Sequence, residues 1–338
     1  MYIPIAVVNN KEQWEKIKVG IISPAANVLK VFPKRREEGI KNLEEIGMET
    51  IFSKNAIRYN SSYKESVEER LEELNEIIDQ KPDLVITTIG GYNSIQLLDR
   101  INYKKIKDNN ITFCGFSDIT SLLLAIHTKT GMEMLYGPCY TVNMCDYGGV
   151  DEYTKENLLK CISGKKFTLK PSNYDMNEFI DWADLEKKVI KKKKKEKGND
   201  WITIIKGKCS GKLLGGNLTT IQNLIGTKYL PEKAFKDKLL FLEDCETNMD
   251  EFCSRLESLR IKGIFNDVTG IILGKFDLPE MNNEIEAFLN DYFKDYDKPV
   301  VCNIDFGHVF PILTLPIGRD ANLECTDKKI KIELEERK

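Results

Sequence analysis

Two histidines are all the imidazole this chain carries, so chemistry that needs a base near neutral pH has only His127 and His308 to draw on. His127 lies within the apolar stretch 117–130, where a helix would hold it as a packing or surface residue. His308 stands in Asp305-Phe-Gly-His-Val-Phe-Pro311, a loop after an apolar strand, where a base could be reached from a cleft. An imidazole base serves a nucleophile, and Ser117 is the best placed one. In Ile111-Thr-Phe-Cys-Gly-Phe-Ser117-Asp it falls at the turn from a buried strand into an apolar helix, the edge at which α/β sheets present their functional groups. A hydroxyl held there has the next backbone N–H, that of Asp118, available to stabilise a developing oxyanion, which suits acyl transfer. Serine is also favoured as a helix N-cap, so the position alone decides little.

Thr88-Ile-Gly90-Gly91-Tyr92-Asn93-Ser94 ends the preceding strand in a tight turn that faces the same sheet edge, and Gly91 there could donate a second oxyanion hydrogen bond. An imidazole base also needs a carboxylate to fix its tautomer and stabilise the imidazolium. Leu239-Leu-Phe-Leu-Glu243-Asp places Glu243 at the end of a buried strand, although a strand running into acids is equally a solvated exit. Each of these groups fills a different role in one mechanism. Other chemistries are excluded. Gly207-Lys-Cys-Ser-Gly211-Lys212-Leu213 lacks both the spacing and the hydroxyl of a phosphate-binding loop, no G-x-G-x-x-G follows the first strand, and H-E-x-x-H is absent. The nine cysteines are odd in number, scattered and never in a C-x-x-C pair, so neither a disulfide framework nor a zinc site is expected. No metal or organic cofactor is called for.

The elements that must position these groups follow from hydrophobic periodicity. Strands are expected at 17–23, 48–52, 83–89 and 111–115, and helices at 33–47, 65–80 and 117–130. This alternation is that of a parallel sheet flanked by helices, and it fades near Tyr136. Residues 151–170 hold a helix and a strand. A second alternation places strands at 201–205, 212–214, 239–243, 269–273 and 300–303, with helices at 217–225, 249–262 and 284–295. The fold class is therefore α/β, with an N-terminal domain over 1–165 that carries Ser117, a linker and substrate loop over 166–200, and a C-terminal domain over 201–338 that carries Glu243 and His308. The linker holds eight lysines between Lys187 and Lys197. The formal charge of −3 and the lack of aromatics within the run read as a solvated face, not a nucleic-acid site. No apolar run is long enough to span a bilayer, and Asn9 to Gln13 interrupt the start of the chain where a signal peptide would be apolar; the expected location is the cytoplasm.

Gly90-Gly91, Gly115-Phe-Ser117-Asp118, Tyr136-Gly-Pro138, Gly215-Gly-Asn217-Leu, Leu240-Phe-Leu-Glu243-Asp, Gly270-Ile-Ile-Leu-Gly274 and Gly307-His308 occur in that order. Together they resemble the LD-carboxypeptidase family of serine peptidases, from about Lys18 to Glu333. The turn Thr88-Ile89-Gly90-Gly91 is more like the family's microcin C immunity branch than its murein-recycling members, which carry an arginine before the glycines. The resemblance implies an N-terminal α/β domain, a C-terminal domain with a barrel-like sheet, and a homodimer. It implies a triad of Ser117, Glu243 and His308 and an oxyanion hole on the N–H groups of Gly91 and Asp118. It also implies substrate contacts from Trp182, through stacking on a nucleobase, and from Asn93, Asn217 and Asp277, the last standing where the family carries glutamate. The lysine run beside Trp182 has no counterpart in that pattern. The implied activity is hydrolysis of the amide of a peptidyl or aminoacyl nucleotide of the microcin C type. The runner-up is release of terminal D-alanine from murein tetrapeptides, and a rival of another class is a small-ligand binding protein without turnover.

Overall fold

Strands that read as unbroken aliphatic runs must be buried on both faces, and the first half of the chain supplies several. The computed structural model describes residues 16–29, 32–53, 63–175, 193–194, 200–245, 247–276 and 284–338. Trp182 and Asp277 lie outside them. The chain divides into two compact units, the first drawn from Met1–Ser163 and the second from Gly164–Asn177 and Lys191–Lys338.

In the first unit the elements run β1 (Ile17–Ile22), α1 (Pro33–Glu45), β2 (Met48–Phe52), α2 (Tyr63–Asp79), β3 (Leu84–Thr87), α3 (Tyr103–Asp108), β4 (Thr112–Gly115), α4 (Thr120–Thr130), β5 (Met134–Tyr136) and α5 (Glu152–Ser163). Within this unit the strands pair in parallel in the order β5-β4-β3-β1-β2. The chain steps outward from β1 to β2 on one side, then returns to place β3 on the other. The order thus reverses between β1 and β3, and the loops leaving their carboxyl ends stand at the strand-order switch, the usual ligand position in open α/β sheets. Helix α4 is buried on nearly every side, Leu122 to Ile126 being wholly inaccessible, which explains its lack of a polar face. Two expected helices differ in detail. The segment after Gly115 opens as a 3-10 turn, Ser117–Ile119, before α4 begins, and the glycine turn leads into a 3-10 helix, Ser94–Arg100. Both follow from the left-handed backbone of Ser117 (φ 64°) and Asn93 (φ 75°), which cannot sit inside an α-helix.

The second unit comprises β6 (Phe167–Thr168), β7 (Tyr174–Asp175), β8 (Lys193–Lys194), β9 (Ile202–Ile205), β10 (Gly207–Asn217), α6 (Leu218–Gln222), β11 (Lys238–Glu243), α7 (Met249–Ile261), α8 (Ile264–Asp267), β12 (Gly270–Gly274), α9 (Ile285–Tyr292), β13 (Val300–Ile304), β14 (Leu315–Ile317), β15 (Asp320–Thr326) and β16 (Lys329–Leu334). Its main sheet has eight strands in the order β6-β16-β15-β10-β11-β12-β13-β9, with β10 to β13 parallel. Strand β9 pairs antiparallel with β13, and the chain then passes through Lys206 straight into β10. This requires the sheet to curl, and Thr203 Oγ1 accordingly donates to the Thr326 carbonyl and Cys325 Sγ to that of Ile205. The segment Gly207–Leu213, excluded above as a phosphate loop, is the first part of β10. Strand β10 outruns the expected 212–214 because its first half alternates half-buried with exposed residues and carries no apolar run.

Candidate active site

In the first unit the β3 loop starts at Thr88, whose N–H donates to Ile22 O (2.8 Å) and whose hydroxyl donates to Ser23 Oγ (3.0 Å). The turn beyond it is then closed by Ala26 N–H donating to Gly90 O (3.1 Å). Gly91 has φ +110°, and a Cβ there would fall 2.9 Å from that of Ala26, so the turn admits no side chain. A Cβ on Gly90 would lie 2.7 Å from Ser117 Cβ and 2.9 Å from its Oγ. The Ser117 side chain therefore sits directly over the bare Gly90 backbone. Ser117 occupies the sharp, left-handed position of a strand-to-helix turn. Its N–H donates to Tyr136 Oη (3.2 Å) and its carbonyl accepts from Thr120 Oγ1 (2.6 Å). It lies inside the 3-10 turn, and no side chain caps that turn or α4, so the N-cap explanation does not apply.

Asp118 joins this turn to the glycine turn. Its carboxylate accepts from Ser94 N–H (2.8 Å) and its carbonyl from Ser94 Oγ (2.8 Å). Burial raises the Asp118 pKa, opposed by the hydrogen bonds from Ser94 and Asn93 and by the charge of Arg70. Asn93 is exposed, as is Tyr92 at 77%. His127 has Nδ1 2.7 Å from the Met132 carbonyl, a local bond that ties the end of α4 to the loop after it.

In the second unit Glu243 ends β11 and is fully buried, with Oε2 2.7 Å from His308 Nδ1. The slot that holds the carboxylate is made by glycines. A Cβ on Gly307 (φ +95°) would lie 2.5 Å from Glu243 Cγ and Oε2, and one on Gly274 would lie 3.0 Å from Glu243 Cβ. Burial works against the imidazolium, yet the Glu243 carboxylate and the hydrogen bonds to Cys245 and Glu243 outweigh it, so His308 titrates above the ordinary imidazole range. Asn217 faces Glu243 across the β10–β11 ladder. Its side chain is only 4% exposed: Nδ2 donates to Glu243 Oε1 (3.1 Å) and Asp244 Oδ1 (3.2 Å), while Oδ1 caps α6 by accepting from Thr220 N–H (3.0 Å). Asp244, with its pKa raised by burial and by Glu243, is held by Thr219 and Arg255.

Two features were not foreseen from the sequence. One is the contact of Cys245 with His308, and the other is the buried cluster in which Lys275 Nζ meets Asp175 (2.8 Å) and Asp305 (3.0 Å). Asp305 Oδ2 also accepts from Trp201 Nε1 (2.8 Å), three residues before His308. The only signal for this cluster was the placement of Lys275 and Asp305 at the carboxyl ends of buried strands.

The structure thus groups Ser117, Asp118, Gly91 and Asn93 in the first unit, and Glu243, His308 and Asn217 in the second. Among the described residues no set of three or more His, Cys, Asp or Glu side chains could hold a metal ion, and no helix is long and apolar enough to cross a membrane. A serine in left-handed backbone packed over a bare glycine, and a histidine bonded to a buried carboxylate, are residue types that serine peptidases use.

The family follows from comparison with known proteins. Residues 19–137 match the LD-carboxypeptidase N-terminal domain and residues 210–323 its C-terminal domain, and the chain belongs to that family of serine peptidases. A crystal structure of an MccF-like protein from Bacillus anthracis str. Ames is similar, with TM-score 0.85 and 31% identity, covering 96% of this chain and 98% of that one. The microcin C7 self-immunity protein MccF of Escherichia coli is 29% identical over 93% of this chain and 92% of its own. A solved MccF complex with aspartyl sulfamoyl adenosine shares 26% identity at TM-score 0.84, covering 95% and 96% of the two chains. A probable murein peptide carboxypeptidase of Bacillus subtilis is 26% identical over 93% of this chain and 91% of its own.

Proposed function

We propose that the protein hydrolyses the amide of an aminoacyl or peptidyl nucleotide through a Ser117–His308–Glu243 triad. The observation that carries this reading is the 2.7 Å bond between His308 Nδ1 and the fully buried Glu243, because a carboxylate on Nδ1 fixes the tautomer in which Nε2 is the basic nitrogen. Ser117 Oγ attacks the substrate carbonyl as His308 Nε2 takes the hydroxyl proton, and the N–H groups of Gly91 and Asp118 hold the tetrahedral oxyanion. His308 then gives the proton to the leaving nitrogen. Water, activated by the same nitrogen, attacks the acyl enzyme, and the acid departs as Ser117 regains its proton. Glu243 fixes the imidazole tautomer and stabilises the imidazolium, and Asn217 steadies Glu243.

The nucleotide half of the substrate is supported by the aspartyl sulfamoyl adenosine that MccF holds in its solved complex and by the Thr88-Ile-Gly-Gly turn of this chain. In this reading Trp182 stacks on the base, Asn93 lines the cleft and Asp277 meets the aminoacyl end, with the protein a cytoplasmic homodimer. The likeness to the murein peptide carboxypeptidase defines the competing substrate.

The test is product analysis by mass spectrometry of wild type and Ser117→Ala, incubated separately with aspartyl sulfamoyl adenosine and with a murein L,D-tetrapeptide. Cleavage of the nucleoside conjugate by wild type alone is expected. Release of D-alanine alone would move the substrate to murein peptides. Cleavage of neither would favour a binding protein and overturn the hydrolase reading.

A further inference from the structure

We propose that the side chains of Arg70 and Asp118 form a clamp that sets the position of the two oxyanion donors, an inference that rests on the reading of Ser117 as the nucleophile. Arg70 projects from α2 and is 9% exposed. Its guanidinium reaches both loops that leave β1 and β3, where the strand order reverses. Nη1 donates to Pro24 O (2.8 Å), in the loop after β1, and to Asn93 O (3.1 Å), in the loop after β3. Nη2 donates to Gln96 Oε1 (2.6 Å), at the start of the 3-10 helix, and Nε to Ser66 O (3.0 Å), within its own helix. A planar fork of donors can hold several carbonyls at fixed angles, which a lysine cannot.

Asp118 completes the device from the other side. Its own N–H is one proposed donor, and its carboxylate grips Ser94 N–H, three residues beyond Gly91, the other. Ser94 Oγ returns a bond to the Asp118 carbonyl. The two turns are therefore cross-linked twice, and Arg70 supplies the opposite charge near the Asp118 carboxylate. The clamp spans two non-glycine residues in left-handed backbone, Asn93 and Ser117, one on each turn. Such conformations persist only where surrounding bonds over-determine them. Catalytic donors must be held within about 0.5 Å of their productive place, so loosening this frame acts on the transition state more than on substrate binding.

The test measures the rate at which a fluorophosphonate probe phosphonylates Ser117 with loss of fluoride, with kcat and KM on the cleaved substrate, for wild type, Asp118→Ala, Asp118→Asn and Arg70→Lys, alongside Tm. Loss of one oxyanion donor slows turnover by about 10²–10³-fold. Asp118→Ala and Arg70→Lys are expected to slow both labelling and kcat by at least about 10-fold, with KM held within about 3-fold. Asp118→Asn, which still accepts from Ser94 N–H, should recover most of the rate. Labelled wild type with Asp118→Ala and Arg70→Lys reacting equally fast would overturn the clamp while leaving the nucleophile intact. Wild type that fails to label at all would remove the nucleophile and the clamp with it. Should Asp118→Ala fail to fold, Arg70→Lys and Asp118→Asn still decide the matter.

Discussion

Replacing Gly307 with alanine places one methyl group against the carboxylate that holds His308. The added carbon would lie 2.5 Å from Glu243 Cγ, 2.5 Å from Oε2 and 2.7 Å from Cδ, far inside contact distance, and Glu243 is fully buried. Gly307 also has φ +95°, a backbone conformation that costs an L-residue roughly 1–2 kcal/mol. Displacing Glu243 breaks its bond to His308, a charge-assisted hydrogen bond of about 1.5–3 kcal/mol. The expected destabilisation is therefore about 2.5–5 kcal/mol, and kcat should fall by at least about 10²-fold because the imidazole loses its fixed tautomer. Gly263→Ala is the control: φ is +75° in the same unit but nothing lies within 4 Å, so only the backbone cost applies. Chemical denaturation and steady-state kinetics on both variants separate the two effects. Gly307→Ala with activity within about 3-fold of wild type and no more destabilised than Gly263→Ala would refute the reasoning, since the methyl would then have been accommodated without moving the carboxylate.

Three further predictions concern titration and packing. The Glu243 carboxylate raises the His308 pKa, and the base form is the deprotonated ring, so kcat/KM should rise with pH along a limb centred above about 6.5; Glu243→Gln should move that limb to lower pH while lowering kcat, and a pH–rate profile of both proteins checks it. Glu73, 3% exposed in α2 with one oxygen lacking a partner, has its pKa raised by burial to about 8. The folded state keeps its proton while the unfolded chain ionises, so this contribution is complete below about 4.5 and is lost as pH rises toward 8. Glu73→Gln should therefore raise Tm at pH 8 and leave it little changed at pH 4.5, read by thermal melts; equal effects at both pH values would contradict the shift. Gly90→Ala drives a methyl to 2.7 Å from Ser117 Cβ and should abolish fluorophosphonate labelling, whereas Gly47→Ala, with open space around it, should not.

The residues proposed to carry chemistry stood out because each ends a buried strand: Ser117 after β4, Glu243 at the end of β11, His308 just beyond β13. The chain's two histidines left only one rival to His308 as the proposed base, and His127 bonds to the Met132 carbonyl at the end of α4. The partners of those residues were hidden. Asn217 faces Glu243 only through the register of the β10–β11 ladder, and Arg70 meets Pro24 and Asn93 across long sequence separations that periodicity does not encode. The hairpin of β15 and β16 shows in the sequence only as buried residues alternating with polar ones, a pattern distinct from the aliphatic runs that mark the parallel strands. The turn at Ser117 reads as a plain helix start until its positive φ is known.

The central claim is that Ser117 becomes acylated during turnover. The direct test is acid quenching of wild-type protein at steady state with the substrate it cleaves, followed by intact-mass and peptide mass spectrometry. An adduct of the acyl group's mass on the peptide that contains Ser117, absent from Ser117→Ala, is the predicted result. Turnover that persists in Ser117→Ala would contradict it.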